Sequence, residues 1–351
     1  MFRPLYTITD RLLAHIKRIN SLIADLNVRR FPHIVLMDLE QTARAVSTYA
    51  STSIEGNPLP LTEVKKILKS KPAHARESEQ EVLNYNNALE TVNEKITKGS
   101  LTLSLNLILS IQKSVTRTLL PSSDSGHLRQ KPVAVHDPRT GHVVYMPPDV
   151  KDVRRLMEEL VFFINTSRTT IDPLILAGIF HKQMVIIHPF TDGNGRTTRL
   201  ATKGLLAAMG LNTFNLFSFE NYYNKNVTKY FRTVGEYGDY YELKDKIDFT
   251  SWLEYFMEGI IDELLRVQKL LPNTSYTPQT ELQPHHLEIL THIQQNRYIS
   301  DRDYALLTDR AKATRRLDFQ KLLELKLIER KGKGKATYYI LKNPDHDKTD
   351  L

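Results

Sequence analysis

The chain of 351 residues contains no cysteine and a single tryptophan. The absence of cysteine excludes a disulfide scaffold, a thiolate zinc site, an iron–sulfur cluster and a cysteine nucleophile. No run of about 18 consecutive apolar residues occurs, so no segment is predicted to span a membrane. The N-terminus, Met1 to Pro4, lacks the apolar run and small-residue cleavage site of a signal peptide. We therefore expect a soluble, cytoplasmic protein with no membrane partner.

The composition is otherwise that of a globular protein. Hydrophobic residues make up 41% and charged residues 25% of the chain, which excludes disorder and low-complexity folds for most of its length. Lys and Arg number 48 against 40 Asp and Glu, a formal net charge of +8. This excess permits an acidic partner such as nucleic acid or a nucleotide without requiring one.

Hydrophobic periodicity predicts a mainly α-helical protein. Apolar residues recur at helical spacing over 8–27, 36–52, 61–70, 76–97, 101–120, 150–165, 172–187, 195–209 and 222–271. A polar stretch with two prolines, 272–280, is the best candidate for a linker. We predict an N-terminal helical region at 1–100, a core domain at 101–271, this linker, a small domain at 281–342 and a polar tail at 343–351.

Two regions combine β-prone runs with turn residues. In 129–148, short runs at 133–135 and 143–145 flank a turn-rich connector, which predicts a β-hairpin. In 281–342, three helices precede two β-prone runs separated by Lys331 to Ala336, an arrangement typical of a winged helix-turn-helix. Between Lys312 and Lys335 there are nine Lys or Arg against three Asp or Glu. This local excess could contact DNA phosphates, or it could be a solvated face of a domain that binds proteins or dimerises.

One stretch combines a titratable histidine, an acid, a Gly-Asn-Gly turn and two arginines: His188-Pro189-Phe190-Thr191-Asp192-Gly193-Asn194-Gly195-Arg196-Thr197-Thr198-Arg199. A helix beginning near Gly195 would direct free N–H groups and its positive dipole end at an anion. Arg196 and Arg199 lie three apart and can add guanidinium groups to phosphate oxygens. Asp192 is a carboxylate suited to Mg²⁺, and His188 is suited to accept a proton from a hydroxyl.

The stretch is similar to the signature of Fic-domain proteins, His-Pro-Phe-x-[Asp/Glu]-Gly-Asn-Gly-Arg-x-x-Arg. The resemblance implies a Fic-type helical domain with a β-hairpin flap that transfers AMP from ATP to a Ser, Thr or Tyr hydroxyl of a target protein and of itself. It implies His188 as the base, Asp192 as the Mg²⁺ ligand, and Gly193, Asn194, Gly195 and Arg196 at the α- and β-phosphates. Arg199 would bind the γ-phosphate.

A second element resembles the inhibitory motif of the same family, [Ser/Thr]-x-x-x-Glu-[Gly/Asn]. Ser51, Glu55 and Gly56 occupy its fixed positions, N-terminal to the signature. In that role Glu55 pairs with Arg199 and prevents productive binding of the γ-phosphate, since one guanidinium fork cannot hold a carboxylate and a phosphate together. The resemblance also places Val133, Ala134, Val135 and His136 on the flap, beside the nucleotide and the target, and Tyr230 and Phe231 near the adenine.

The leading hypothesis is therefore an autoinhibited protein adenylyltransferase that uses ATP and Mg²⁺. A variant is removal of AMP from a modified target by the same site, and another is transfer of a different phosphate-containing group. The alternative from another class is a DNA-binding regulator whose Fic domain senses nucleotides. The identity of the target, the preferred base and a possible homodimer are not decided by the sequence.

Overall fold

The computed structural model describes residues 2–27, 33–137, 140–211, 215–271, 282–325 and 327–342. The chain divides into two compact units. Unit 1 contains Met1–Val28 and Glu40–Leu271, and unit 2 contains Arg29–Leu39 and Pro272–Leu351. The predicted linker at 272–280 and the polar tail at 343–351 lie outside the described residues.

Helices dominate the part of the chain before Leu271. In chain order they are α1 Asp10–Asn27, α2 His33–Ile54, α3 Leu61–Ser70, α4 Glu77–Thr97, α5 Leu105–Val115, α6 Val150–Thr166, α7 Pro173–Ile187, α8 Asn194–Ala208, α9 Glu220–Asn224, α10 Val227–Val234, α11 Tyr240–Leu243 and α12 Thr250–Leu270. Most begin or end within a few residues of the positions that periodicity predicts. Among the described residues, no helix has the length and apolar character needed to cross a lipid bilayer.

The predicted helical pattern over 222–271 is interrupted in the structure. It is divided among helices α9 to α12, with a short strand, β3 Gly238–Asp239, between α10 and α11. Gly235, which follows α10, has an extended backbone, and Gly238 has φ +118°. A helix cannot continue through these conformations, and glycine adopts a positive φ without steric cost.

A small three-stranded sheet contains the predicted hairpin. Strand β1, Val135–His136, pairs antiparallel with β2, Val143–Met146, and β2 pairs parallel with β3. The third strand was not predicted, because a parallel partner 93 residues away has no local turn signal. The strand order β1-β2-β3 leaves β1 at an edge of the sheet.

The core of unit 1 is built around α7. Its apolar sequence is buried along nearly its whole length, and it packs against α8 and α12. Gly178 allows α12 to approach closely, since a Cβ atom there would lie 2.5 Å from Leu253 Cδ2. The single tryptophan, Trp252, donates a hydrogen bond to the Gly178 carbonyl at 2.8 Å. The buried face of α7 thus holds the end of the helix, and the loop after it, in place.

The C-terminal part of unit 2 has the element order predicted for it. Three helices, α13 Pro284–Asn296, α14 Asp301–Leu307 and α15 Lys312–Glu324, precede the antiparallel strands β4 Ile328–Lys331 and β5 Tyr338–Leu341. They enclose a separate apolar core formed by Ile289, Leu290, Ile293, Ile299, Tyr304, Phe319, Leu322 and Ile328. The assignment of this arrangement as a winged helix-turn-helix stays a prediction.

Candidate active site

The His188–Arg199 stretch forms a tight loop between two buried helices. His188 ends α7 in the left-handed backbone conformation, with φ 47°. Gly193 precedes α8 with φ 78°, and the helix begins at Asn194, one residue before the predicted start. The first turn of α8 therefore carries the free N–H groups of a helix N-terminus at the loop.

Three polar residues fix the shape of this loop through hydrogen bonds. The Asn194 side chain accepts a hydrogen bond from the Phe190 N–H at 2.9 Å and donates one to the Phe190 carbonyl at 2.8 Å, while the Phe190 ring is fully buried. Arg129 donates from Nε to the His188 carbonyl at 2.8 Å, and its backbone N–H bonds the Pro189 carbonyl. Gln112 reaches the Asp192 carbonyl at 3.2 Å. Sequence analysis missed Arg129 and Gln112, which lie far from the loop along the chain.

His188 is held in its neutral form. Removal of the ring from water lowers its pKa to about 4, although the Val185 carbonyl and the Glu55 carboxylate act in the opposite direction. At neutral pH the imidazole is therefore unprotonated and can accept a proton.

Arg199 is fully buried and paired with the end of α2. Its Nε donates to Ser51 Oγ at 2.7 Å, and Nη2 donates to the Ser51 carbonyl and to Glu55 Oε1, both at 2.8 Å. Burial alone lowers the pKa of Arg199, but the Glu55 carboxylate raises it and the net shift is upward. Two of the three residues of the predicted inhibitory motif, Ser51 and Glu55, thus contact the guanidinium predicted to bind the γ-phosphate.

Two glycines allow these groups to approach each other. Gly56 has φ +96° directly after Glu55, where the chain leaves α2. At Gly195, a Cβ atom would overlap Glu55 Oε1 and lie 2.9 Å from Arg199 Nη1. Glycine at position 195 is therefore needed for Glu55 to reach Arg199 in this conformation.

Arg196 is also buried, between two carboxylates. Its Nη1 lies 2.6 Å from Glu81 Oε1, and its Nη2 lies 2.9 Å from Asp192 Oδ2. Glu81 is on α4, and its other oxygen accepts a hydrogen bond from the Asn57 amide at 2.6 Å. Burial raises the pKa of Glu81, and Arg196 and Asn57 lower it, with a net upward shift. Neither Glu81 nor Asn57 was predicted as a site residue.

Asp192 is the residue that could hold a metal ion at this loop. Its side chain is 51% exposed, and the carboxylate offers the hard oxygen that Mg²⁺ prefers. In the described part of the chain, the group of three metal-ligating side chains that lie close together is His285, His286 and Asp318, in unit 2. A single carboxylate at the loop suits Mg²⁺ held mainly by substrate phosphates and water.

Residues 102–206, which contain the His188–Arg199 loop, match the Fic/DOC family. The chain contains a Fic domain. The matched residues include α5, the β1–β2 hairpin, α7 and most of α8, and therefore the whole His188–Arg199 loop. The ion pair between Glu55 and Arg199 joins this Fic domain to a helix that precedes the match.

Curated relatives carry the same domain. The chain is 31% identical over 166 residues to a protein adenylyltransferase Fic of Nematostella vectensis. The aligned region covers 46% of this chain and 37% of that protein. It is 30% identical over 182 residues to the protein adenylyltransferase Fic of Aedes aegypti, covering 51% of this chain and 35% of that protein. The chain thus spans little more than a third of the length of these relatives.

Solved structures show the same fold. A Fic family protein from Desulfovibrio desulfuricans superposes with a TM-score of 0.65 at 22% identity, over 97% of this chain and 98% of that chain. Fic-1 from C. elegans superposes with a TM-score of 0.59 at 22% identity, over 74% and 72% of the two chains. The mainly helical Fic fold predicted from the sequence is confirmed.

The residues predicted to form the flap lie at and before the edge strand. Val133 and Ala134 precede β1, while Val135 and His136 form it. Val133, Ala134 and Val135 are half-buried and His136 is exposed. Their contact with a nucleotide or a target stays a prediction.

The two aromatic residues predicted near the adenine have different surroundings in the Fic domain. Tyr230 is buried, stacks on Tyr223 at 4.8 Å between ring centroids, and its hydroxyl lies 3.0 Å from His181 Nε2. Phe231 is 38% exposed. Adjacent residues on a helix face different directions, which explains the contrast. Tyr230 has a packing role here, and the nucleotide contact of both residues stays a prediction.

Proposed function

We propose that this protein is an adenylyltransferase that transfers AMP from ATP to a hydroxyl group of a target protein and of itself. The observation that carries the proposal is the single loop that joins a neutral His188 to two buried guanidinium groups at a helix N-terminus. The curated relatives named protein adenylyltransferase Fic support it.

In the proposed reaction, the target hydroxyl oxygen forms a bond with the α-phosphorus of ATP. The bond from that phosphorus to the oxygen bridging the β-phosphate breaks, and pyrophosphate leaves. The hydroxyl proton passes to His188, which is unprotonated at neutral pH. Arg196 and Arg199 bind phosphate oxygens, and the first turn of α8 adds N–H donors. Mg²⁺, when held by Asp192, neutralises charge on the phosphates.

The target is proposed to bind along β1. This strand is the edge of the three-stranded sheet, so its outer N–H and C=O groups can pair with an extended segment of another protein. Main-chain pairing of this kind would present a Ser, Thr or Tyr side chain without requiring a particular sequence around it.

The resting protein is proposed to be inhibited by Glu55. Arg199 uses Nη2 to bind Glu55, so the γ-phosphate must displace a charge-assisted hydrogen bond to reach it. Removal of the carboxylate would leave Arg199 with its two Ser51 contacts and free to bind phosphate.

Self-labelling with α-labelled ATP and Mg²⁺ tests both statements. We expect weak labelling of the natural protein, at least tenfold stronger labelling of Glu55→Gly, since about 1.4 kcal/mol of competition is removed, and none of Glu55→Gly/His188→Ala. Equal labelling with and without Glu55 would contradict inhibition, and labelling that survives the loss of His188 would contradict the base. Incubation of pre-labelled protein without ATP identifies AMP removal by loss of the label.

A further inference from the structure

Glu81 lies outside both sequence motifs, yet its carboxylate contacts the first arginine of the signature. It projects from α4 with its side chain 15% exposed, and its Oε1 lies 2.6 Å from Arg196 Nη1. Arg196 is itself only 5% exposed at its side chain. The contact is therefore a charge pair largely shielded from water, where electrostatic attraction is stronger than at the surface.

The two arginines of the loop are engaged in the same manner. Glu55 occupies Nη2 of Arg199, and Glu81 occupies Nη1 of Arg196. Asp192 takes the remaining Nη2 of Arg196. These contacts join three carboxylates to two guanidinium groups, so the cluster carries an excess negative charge when all the groups are ionised. An incoming polyphosphate therefore meets repulsion, and Nη1 and Nη2 of Arg196 and Nη2 of Arg199 are already bound to carboxylates.

Asn57 connects the two carboxylate contacts. It lies two residues after Glu55, and its amide donates to Glu81 Oε2 at 2.6 Å and to the Ser78 carbonyl at 2.9 Å. The turn that follows α2 thus places Glu55 against Arg199 and orients Glu81 against Arg196. One short segment holds both contacts together.

We propose that Glu81 is a second inhibitory residue, which occupies Arg196 as Glu55 occupies Arg199 and which the phosphates of a nucleoside triphosphate must displace. This inference rests on the proposed function of the site. It differs from a purely positioning role, in which Glu81 would orient Arg196 for phosphate binding and its removal would weaken nucleotide affinity.

Calorimetric titration with ATP, with and without Mg²⁺, measures nucleotide affinity without any transfer reaction. We expect Glu81→Gln to bind ATP about tenfold more tightly than the natural protein, since the change removes one competing charge and keeps the side-chain shape. Glu77→Gln is the matched control, because it makes the same change at an exposed position in the first turn of α4. Unchanged or weaker ATP binding by Glu81→Gln would overturn the proposal.

Loss of the Glu81 charge leaves Arg196 with one carboxylate, so folding is checked by thermal melting. If Glu81→Gln does not fold, Glu81→Asp is titrated instead. It keeps the charge but is shorter by one methylene, which withdraws the carboxylate from Arg196. We then expect ATP binding tighter than that of the natural protein by a smaller factor, and no increase would equally overturn the proposal.

Labelling rates in the Glu55→Gly background separate this inference from the proposed function. In Glu55→Gly/Glu81→Gln we expect a lower KM for ATP, whereas a positioning role predicts a higher KM. If Glu55→Gly transfers no AMP but Glu81→Gln binds ATP more tightly, the proposed reaction fails and the inhibitory contact stands. If Glu55→Gly transfers AMP and the added Glu81→Gln raises KM, the inference fails and the reaction stands.

Discussion

At the scale of single residues, the loop is organised by the need to neutralise buried charge. A guanidinium removed from water is strongly unfavourable unless it is paired and hydrogen-bonded. Arg199 is 0% exposed and meets this need through Ser51 and Glu55, and Arg196 through Glu81 and Asp192. The guanidinium groups proposed to bind phosphates are thus bound to carboxylates in this structure, and the proposed inhibition follows from the same physical requirement as stability.

Ser51 gives a residue-scale prediction for stability. Ser51→Ala removes the acceptor of Arg199 Nε, which lies 2.7 Å away in a fully buried position. We expect a loss of about 1–3 kcal/mol in the free energy of unfolding, because a buried donor is left without a partner. Ser53→Ala, on the same helix, is the control for helix propensity. Urea denaturation of both variants measures the difference, and equal midpoints would refute the assigned role of the hydroxyl.

His188 gives a prediction for pH dependence. Burial lowers its pKa from 6.5 to about 4 in the folded protein, so below pH 6.5 the unfolded chain takes up the proton first. The free energy of unfolding is therefore unaffected by this group above pH 6.5, and it falls as the pH decreases from 6.5 towards 4, because protonation favours the unfolded chain. We expect His188→Ala to lose less unfolding free energy between pH 7 and pH 5 than the natural protein does. The exposed His136→Ala is the control, and an unchanged pH dependence in His188→Ala would contradict the burial of the ring.

At the scale of elements, α7 is the helix on which the loop depends. It is apolar throughout because it is covered by neighbouring helices on several sides, and His188 and the whole loop follow from its C-terminal end. Its contact with α12 allows no side chain at Gly178. Accurate placement of His188 therefore depends on packing ten residues earlier along the chain.

Gly178→Ala tests this packing. The added Cβ would lie 2.5 Å from Leu253 Cδ2 and 3.1 Å from Phe256 Cδ1, so the Leu253 side chain or α12 must shift. We expect a net destabilisation of about 1–3 kcal/mol from overpacking, despite the better helix propensity of alanine. Gly204→Ala on α8, where the nearest atom is 3.0 Å away, should cost less. Thermal melts rank the two variants, and a more stable Gly178→Ala would show that α12 is not tightly packed there.

At the scale of the whole molecule, the net charge of +8 does not come from the His188–Arg199 loop. The signature arginines are balanced by carboxylates, whereas unit 2 keeps basic residues at its surface. Arg310 and Arg315 of that unit are committed to ion pairs with Asp318 and Asp301. Arg316 on α15 and Lys331 on β4 are exposed, beside a Leu317 that is 62% exposed.

The DNA-binding hypothesis for unit 2 makes a definite prediction. Arg316→Ala should weaken the binding of duplex DNA by a similar factor for every sequence in a mobility-shift assay. The slope of log affinity against log salt concentration should decrease in magnitude by about 1, as expected for the loss of one phosphate contact. Lys17→Ala, on the exposed side of α1, is the control in unit 1. Absence of any shift at low salt would exclude DNA binding and favour a protein contact through the exposed basic and apolar surface.

Much of the site was predictable because its chemistry is local. The apolar character of residues 172–187 predicts α7, and the glycines at 193 and 195 predict a tight turn before α8. The pairing of Glu55 with Arg199 was predicted only through resemblance, since the two residues are 144 positions apart. Glu81 and Arg129 carry no sequence signal of their role. Each is one charged residue among many until helix packing brings it to the loop.

The sequence by itself determined the helices, the loop between α7 and α8, and the residue types that phosphate chemistry needs, because periodicity and backbone preferences act over a few residues. Only the tertiary structure decided which carboxylate faces which guanidinium, that His188 stays neutral, and that Tyr230 is buried while Phe231 is partly exposed. These properties depend on desolvation and on distances between chain-distant atoms, and both exist only once α2, α4, α7 and α8 have packed together.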